Sequence, residues 1–182
     1  MKKVCVFLAD GFEEIEGLTV VDILRRAGVE TETVSVMGRK QINGSHGIIV
    51  EADKVFEEAD IADADMLVLP GGMPGTLNLK AHEGLRKQIL SFNSQGKYLA
   101  AICAAPTVLS ELGILKGKKA CAYPSFEEEL DCGEVLKVPA VTDGNITTGR
   151  GMGAAIPFAL RLAAILCGDE KAEEIRKSVV YE

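Results

Sequence analysis

The sequence predicts an α/β protein: a flavodoxin-like, doubly wound sandwich whose central sheet is mostly parallel and carries helices on both faces. Three observations lead there. Compact apolar runs, Lys3–Leu8 and Met66–Leu69 among them, have the character of strands covered on both sides. Stretches with apolar residues at helical spacing follow such runs, as in 14–27. The alternation continues through the 182 residues without a linker, an internal repeat or a low-complexity segment. Residues 1–182 are therefore expected to form one domain.

Taken in order, Lys3–Leu8 opens the sheet. The helix at 14–27 carries Ile15, Leu18, Val21, Ile23 and Leu24, and Gly28 closes it. Residues 31–36 form the next strand, and the turn-like Asn43-Gly44-Ser45 before Ile48-Ile49-Val50 predicts a small hairpin. Met66–Leu69 runs into Pro70-Gly71-Gly72, and 85–92 is helical. A strand leading to Cys103 and a helix opening at Pro106 come next. Strands at 119–122 and 146–148 and helices at 154–166 and 170–177 complete the pattern.

Composition narrows the function classes. The chain is 47% hydrophobic and 26% charged, ordinary for a globular protein. A formal net charge of −7 argues against nucleic acid or an anionic membrane as partner. Arg161 interrupts the longest apolar candidate for a membrane span, and residues 4–8 are too short for a signal-peptide core, so a cytoplasmic location is expected. Cys5, Cys103, Cys121, Cys132 and Cys167 are odd in number and widely scattered. That pattern fits free thiols in a reducing compartment, with neither a metal site nor a cofactor. Cys5, Cys121 and Cys167 read as small buried hydrophobes, Cys132 as a loop residue.

The segment 97–106 is the most informative. An apolar strand delivers Cys103 between alanines straight into Pro106-Thr107-Val108-Leu109, the layout of a nucleophile elbow. A helix N-terminus beside the thiol would favour the thiolate. Sites in doubly wound folds gather at the carboxyl ends of strands. Two more such edges stand out, Asp10-Gly11-Phe12-Glu13-Glu14-Ile15-Glu16 and Pro70-Gly71-Gly72-Met73-Pro74-Gly75. Each also has a plain reading. Cys103 would be a core residue, Glu16 a solvated first-turn glutamate, and Gly71 and Gly72 turn glycines. Their coincidence with the elbow favours a site. Glu13 and Glu14, and the run Glu127-Glu128-Glu129, read as solvated faces; Arg150 either anchors the fold or meets an anion.

These residues carry a resemblance. Gly11 to Glu16, Val21 to Gly28, Leu69-Pro70-Gly71-Gly72, Ala100 to Ala104 and Thr148-Gly149-Arg150-Gly151 resemble, in that order and nearly end to end, the ThiJ/PfpI superfamily. The branch is that of the Parkinson's-disease-associated deglycase and its bacterial relatives. The resemblance implies that Cys103 is a nucleophilic, easily oxidised cysteine and that Glu16 hydrogen-bonds it. It implies that Gly72 and Ala104 offer backbone N–H groups to an oxyanion, with Gly71 shaping the turn. It also implies a homodimer, with the early helix and the segment around His46 near the interface, so that His46 could approach the partner's site.

One position departs from the pattern. Tyr123 stands where the family often has a histidine beside the cysteine, and a phenol cannot act as a neutral-pH base. It can still donate a hydrogen bond. The remaining histidine, His82, reads as a surface residue before a helix. The expected function is a cofactor-independent glyoxalase or deglycase-like enzyme acting on small dicarbonyls such as methylglyoxal and glyoxal. The alternative is a redox-responsive stress protein or chaperone whose Cys103 is oxidised to a sulfinate. A peptidase or amidase is disfavoured, because it would want a Cys–His pair.

Overall fold

The chain alternates strand and helix as the hydrophobic pattern demands, and the computed structural model describes it from Met1 to Glu182. Strand β1 (Lys3–Leu8) leads to helix α1 (Glu14–Arg26) and β2 (Glu30–Ser35). The hairpin β3 (Gln41–Asn43) and β4 (Ile49–Glu51) and the short β5 (Lys54–Val55) precede β6 (Met66–Leu69). Helices α2 (Gly75–Ala81) and α3 (Glu83–Ser94) lead to β7 (Tyr98–Ile102) and α4 (Pro106–Glu111). Then come β8 (Lys119–Ala120), β9 (Glu134–Val135), β10 (Ala140–Asp143), β11 (Ile146–Gly149), α5 (Ala155–Cys167) and α6 (Asp169–Ser178).

The main sheet has seven strands in the order β10-β11-β7-β6-β1-β2-β5. All its pairs are parallel except the edge pair β10 and β11. Side chains alternate across a strand, so β1 feeds two cores. Val4, Val6 and Leu8 pack with Val20 and Leu24 of α1 and Phe158 and Leu162 of α5. Cys5 and Phe7 pack on the opposite face with Leu85, Ile89 and Phe92 of α3 and Val108 of α4. Both faces are covered, which is why β1 and β6 read as unbroken apolar runs. Strands β1, β6 and β7 thus end together at one rim of the sheet.

The structure departs from the sequence reading in several places. Helix α2 has no counterpart in the sequence reading: it begins at Gly75, directly after Pro74, and carries too few apolar residues to show a period. The predicted strand at 119–122 is only the two residues of β8. Ile15 and Leu18 of α1 face outward, 50% and 39% exposed, instead of joining the core. Cys167 is exposed at the end of α5, whereas Cys5 and Cys121 are buried as expected. Its helix has turned its apolar face inward by then, leaving the last residue outside. No helix is long and apolar enough to cross a membrane.

Candidate active site

Cys103 sits one residue past the end of β7, with a left-handed backbone, φ +65°. A side-chain-bearing residue adopts that conformation at a cost of about 1 kcal/mol, and only where its surroundings hold it there. Both of its peptide groups are tied: its N–H donates to the Gly149 carbonyl at 2.9 Å, and its own carbonyl accepts from the Tyr123 N–H at 3.0 Å. The neighbours Ala104 and Ala105 are fully buried, so larger side chains would have no room. The elbow predicted from the alanine-flanked run is present, and the sulfur-bearing residue is only partly buried.

Glu16 reaches the same point from the first turn of α1. It is fully buried, and its Oε2 accepts from the Gly71 N–H at 2.8 Å. Gly71 is the wedge between Cys103 and the Glu16 carboxyl. A methyl placed on it would strike the Cys103 Cβ and the Glu16 Oε2, each at 2.7 Å. Gly72 has φ +91°, and a Cβ there would collide with the backbone of 11–13. Only glycine satisfies both demands. The glycine pair therefore divides its labour: the Gly71 N–H holds the carboxyl, while the N–H groups of Gly72 and Ala104 lie close enough to the sulfur to favour its anion.

Electrostatics revises the expected thiolate. Burial, then the Glu16 carboxylate, pushes the Cys103 thiol up to about 12, outweighing the two amides. Burial likewise pushes Glu16 up to about 7, against the opposing pull of Cys103 and the Gly71 amide. Glu16 Oε1 is buried without a regular hydrogen-bond partner, the Cys103 thiol being its neighbour. The pair thus retains a proton at neutral pH. Helix α4, at six residues, is too short a dipole to overturn this.

Glu13 and Glu14 are not a solvated face. Glu14 is buried and accepts from the His46 N–H at 2.8 Å, the Ser45 hydroxyl at 3.1 Å and the Ile48 N–H at 3.4 Å. These bonds, with one from its own N–H, outweigh burial and hold its carboxyl down to about 2. The His46 Nδ1 lies 3.1 Å from Glu14 and 3.5 Å from Glu13, so this histidine rests on carboxylates of its own chain. Ligand atoms of Glu13, Glu14 and His46 lie within 4.8 Å of one another, the spacing a cation could use, but both Glu14 oxygens are already engaged by the hairpin loop. His82 caps α3, its Nδ1 accepting from the Leu85 N–H at 3.0 Å, and packs on the Phe56 ring.

Tyr123 and Arg150 line an open cleft of about 470 Å³ next to the elbow, and neither Cys103 nor Glu16 is part of its wall. The two predicted substrate-binding side chains thus sit beside the thiol's niche, in a space of their own. Glu127 is partly buried, contrary to the solvated reading, and lies 3.5 Å from the Arg150 guanidinium.

The architecture and the carboxyl-end site define a class, and comparison with known proteins names it. Residues 2–165 match the DJ-1/PfpI family, and the chain belongs to that family. It is 37% identical over 177 residues to DJ-1 homolog A of Arabidopsis thaliana, covering 96% of this chain but 45% of that protein, so it spans about half of that relative's length. It is 35% identical over 156 residues to a Pyrococcus abyssi protein named a deglycase, covering 83% of this chain and 91% of that one. The solved structure of oxidized DJ-1 from Toxoplasma gondii superimposes with a TM-score of 0.96 at 36% identity, covering 100% of this chain and 99% of the other.

Proposed function

We propose that this protein is a cofactor-independent enzyme of the glyoxalase or deglycase kind, acting on small reactive dicarbonyls such as methylglyoxal and glyoxal. The observation that carries the reading is the convergence of Cys103, Glu16 and the amides of Gly72 and Ala104 around Gly71. Family membership and a relative named a deglycase support it.

The chemistry follows from the shared proton. The Cys103 sulfur attacks the aldehyde carbon as its proton passes to the Glu16 carboxylate, giving a hemithioacetal. The amides of Gly72 and Ala104 receive the negative charge that develops on the aldehyde oxygen. Glu16 then moves a proton from the former aldehyde carbon to its neighbour, converting the hemithioacetal into a thioester of the 2-hydroxy acid. Water cleaves the thioester, releasing the acid and restoring the thiol. The sum is dicarbonyl plus water to hydroxy acid, with no external oxidant. Tyr123 stands where a Cys–His pair would need a histidine, which suits a carbonyl substrate better than a peptide bond.

The same reading includes one domain over 1–182 and a homodimer. The dimer is supported by the exposure of large apolar side chains on the early helix and the hairpin loop, Ile15, Leu18, Ile48 and Ile49, which are between 39% and 59% exposed. A redox role stands as the second reading, favoured by the partial accessibility of Cys103 and by the oxidized state of the Toxoplasma relative. Mild peroxide followed by peptide mapping should place two added oxygens on Cys103 before Cys121 or Cys132. The deciding experiment is methylglyoxal consumption by wild type and Cys103→Ala. Loss in the variant is expected, and equal turnover would end the enzyme reading.

A further inference from the structure

The cleft beside the elbow has a composition that small dicarbonyls do not need. Its walls combine exposed apolar surface, from Tyr123, Val138 and Met152, with two cations, Lys137 and Arg150. Apolar walls with a few convergent charges are the usual composition of a ligand site. Lys137 is exposed and enters no ion pair. Arg150 has only Glu127 nearby, at 3.5 Å, too long for a hydrogen bond. Its Nε is buried and has no partner within the protein, so the guanidinium is not fully engaged by the fold.

The cleft is also fastened to the nucleophile. Tyr123 donates its N–H to the Cys103 carbonyl, and Arg150 follows Gly149, whose carbonyl accepts the Cys103 N–H. Gly151 leaves room for the Tyr123 ring, which lies 3.2 Å from where a Cβ would stand. The Arg150 N–H, bonded to the Pro139 carbonyl at 3.0 Å, ties in the segment that carries Lys137 and Val138. The cleft is thus built on the same two backbone hydrogen bonds that hold Cys103, although the thiol itself is not part of its wall.

We propose that the cleft selects substrates whose dicarbonyl is attached to an apolar or aromatic body bearing a carboxylate, the body lying on Tyr123 and Met152 and the carboxylate held by Lys137 and Arg150. The inference rests on the dicarbonyl reading and extends it to a substrate class. It assigns Lys137 a specificity role that no motif suggested. Methylglyoxal, with nothing beyond its methyl group, leaves the cleft unused.

The test compares 4-carboxyphenylglyoxal with phenylglyoxal, which differ only in the carboxylate. Wild type should prefer the carboxylated compound about tenfold in kcat/KM, the effect of one charge-assisted hydrogen bond, and the preference should lie in KM. Lys137→Met and Arg150→Gln should each reduce the preference, and an undiminished ratio in both would overturn the proposal. A second measurement needs no turnover. Calorimetric titration of Cys103→Ser protein should show 4-carboxymandelate binding more tightly than mandelate, with the difference shrinking in high salt. Equal affinities would overturn the cleft assignment even in an active enzyme. Selective binding in a protein that turns over no dicarbonyl would sustain the cleft and defeat the enzymatic reading.

Discussion

Two glutamates on the first turn of α1, Glu14 and Glu16, are both buried and stand two residues apart, yet they behave as opposites. Glu14 is surrounded by donors from the hairpin loop and stays ionised, its carboxyl held down to about 2. Glu16 has one amide, a thiol for a neighbour and an orphaned oxygen, and burial lifts it to about 7. Residue type and helix position are nearly the same. What separates an ionised carboxyl from one that holds its proton to higher pH is the number of N–H and O–H groups the rest of the fold brings to each. The β3–β4 hairpin supplies donors to one and stops short of the other.

The largest expected effect comes from taking the titrating proton away. Glu16→Gln keeps the acceptor for Gly71 but cannot exchange a proton, so kcat for methylglyoxal should fall roughly 10²- to 10⁴-fold. In wild type, kcat/KM should rise through an apparent pKa of about 7, because below it the pair gains a second proton and the sulfur loses its base. A flat profile between pH 6 and 8 would show that Glu16 does not govern the reaction.

The same variant should move stability the other way. The Glu16 pKa is raised from 4.5 to about 7 on folding, so the native state holds the extra proton and loses stability as pH climbs through that window. By pH 8 that loss approaches about 3 kcal/mol, and Glu16→Gln should recover part of it. Urea unfolding of both proteins at pH 5 and pH 8 checks the sign. A gap between them that fails to widen in favour of the variant at pH 8 would contradict it.

Glu14 reverses that sign. Its pKa is lowered from 4.5 to about 2, so its contribution is complete above pH 4.5 and disappears as pH falls towards 2. Glu14→Gln should cost about 2 kcal/mol at pH 7 and very little at pH 2, read from the same unfolding curves. The smallest effect belongs to His46→Ala. Its ring is largely exposed, and Glu14 keeps the backbone donors of the loop, so the thermal midpoint should drop less than in Glu14→Gln.

Much of this arrangement was legible beforehand. Strands β1, β6 and β7 announced themselves because burial on both faces requires unbroken apolar runs, and the alanines around Cys103 reported how closely the chain approaches itself there. The role of Gly71 as holder of Glu16 was half legible, since a glycine pair after a buried strand signals a tight approach without naming what approaches. Glu14 was misread because the donors that hold it come from Ser45, His46 and Ile48, some thirty residues away, and only the folded hairpin brings them near. The Arg150–Glu127 contact was hidden for the same reason. His82 escaped notice as a cap because its ring nitrogen does what a serine or aspartate side chain usually does.

The hydrogen bond from Cys103 to Gly149 continues the pairing of β7 with β11 by one residue, where β7 itself has ended. Cys103 is thus the last rung of the sheet as well as the first residue of the elbow. Its amide hydrogen should exchange with solvent as slowly as those of the central strands, even though the residue is only partly buried. On the proposed function, reactivity and rigidity would occupy one residue, divided between its side chain and its backbone.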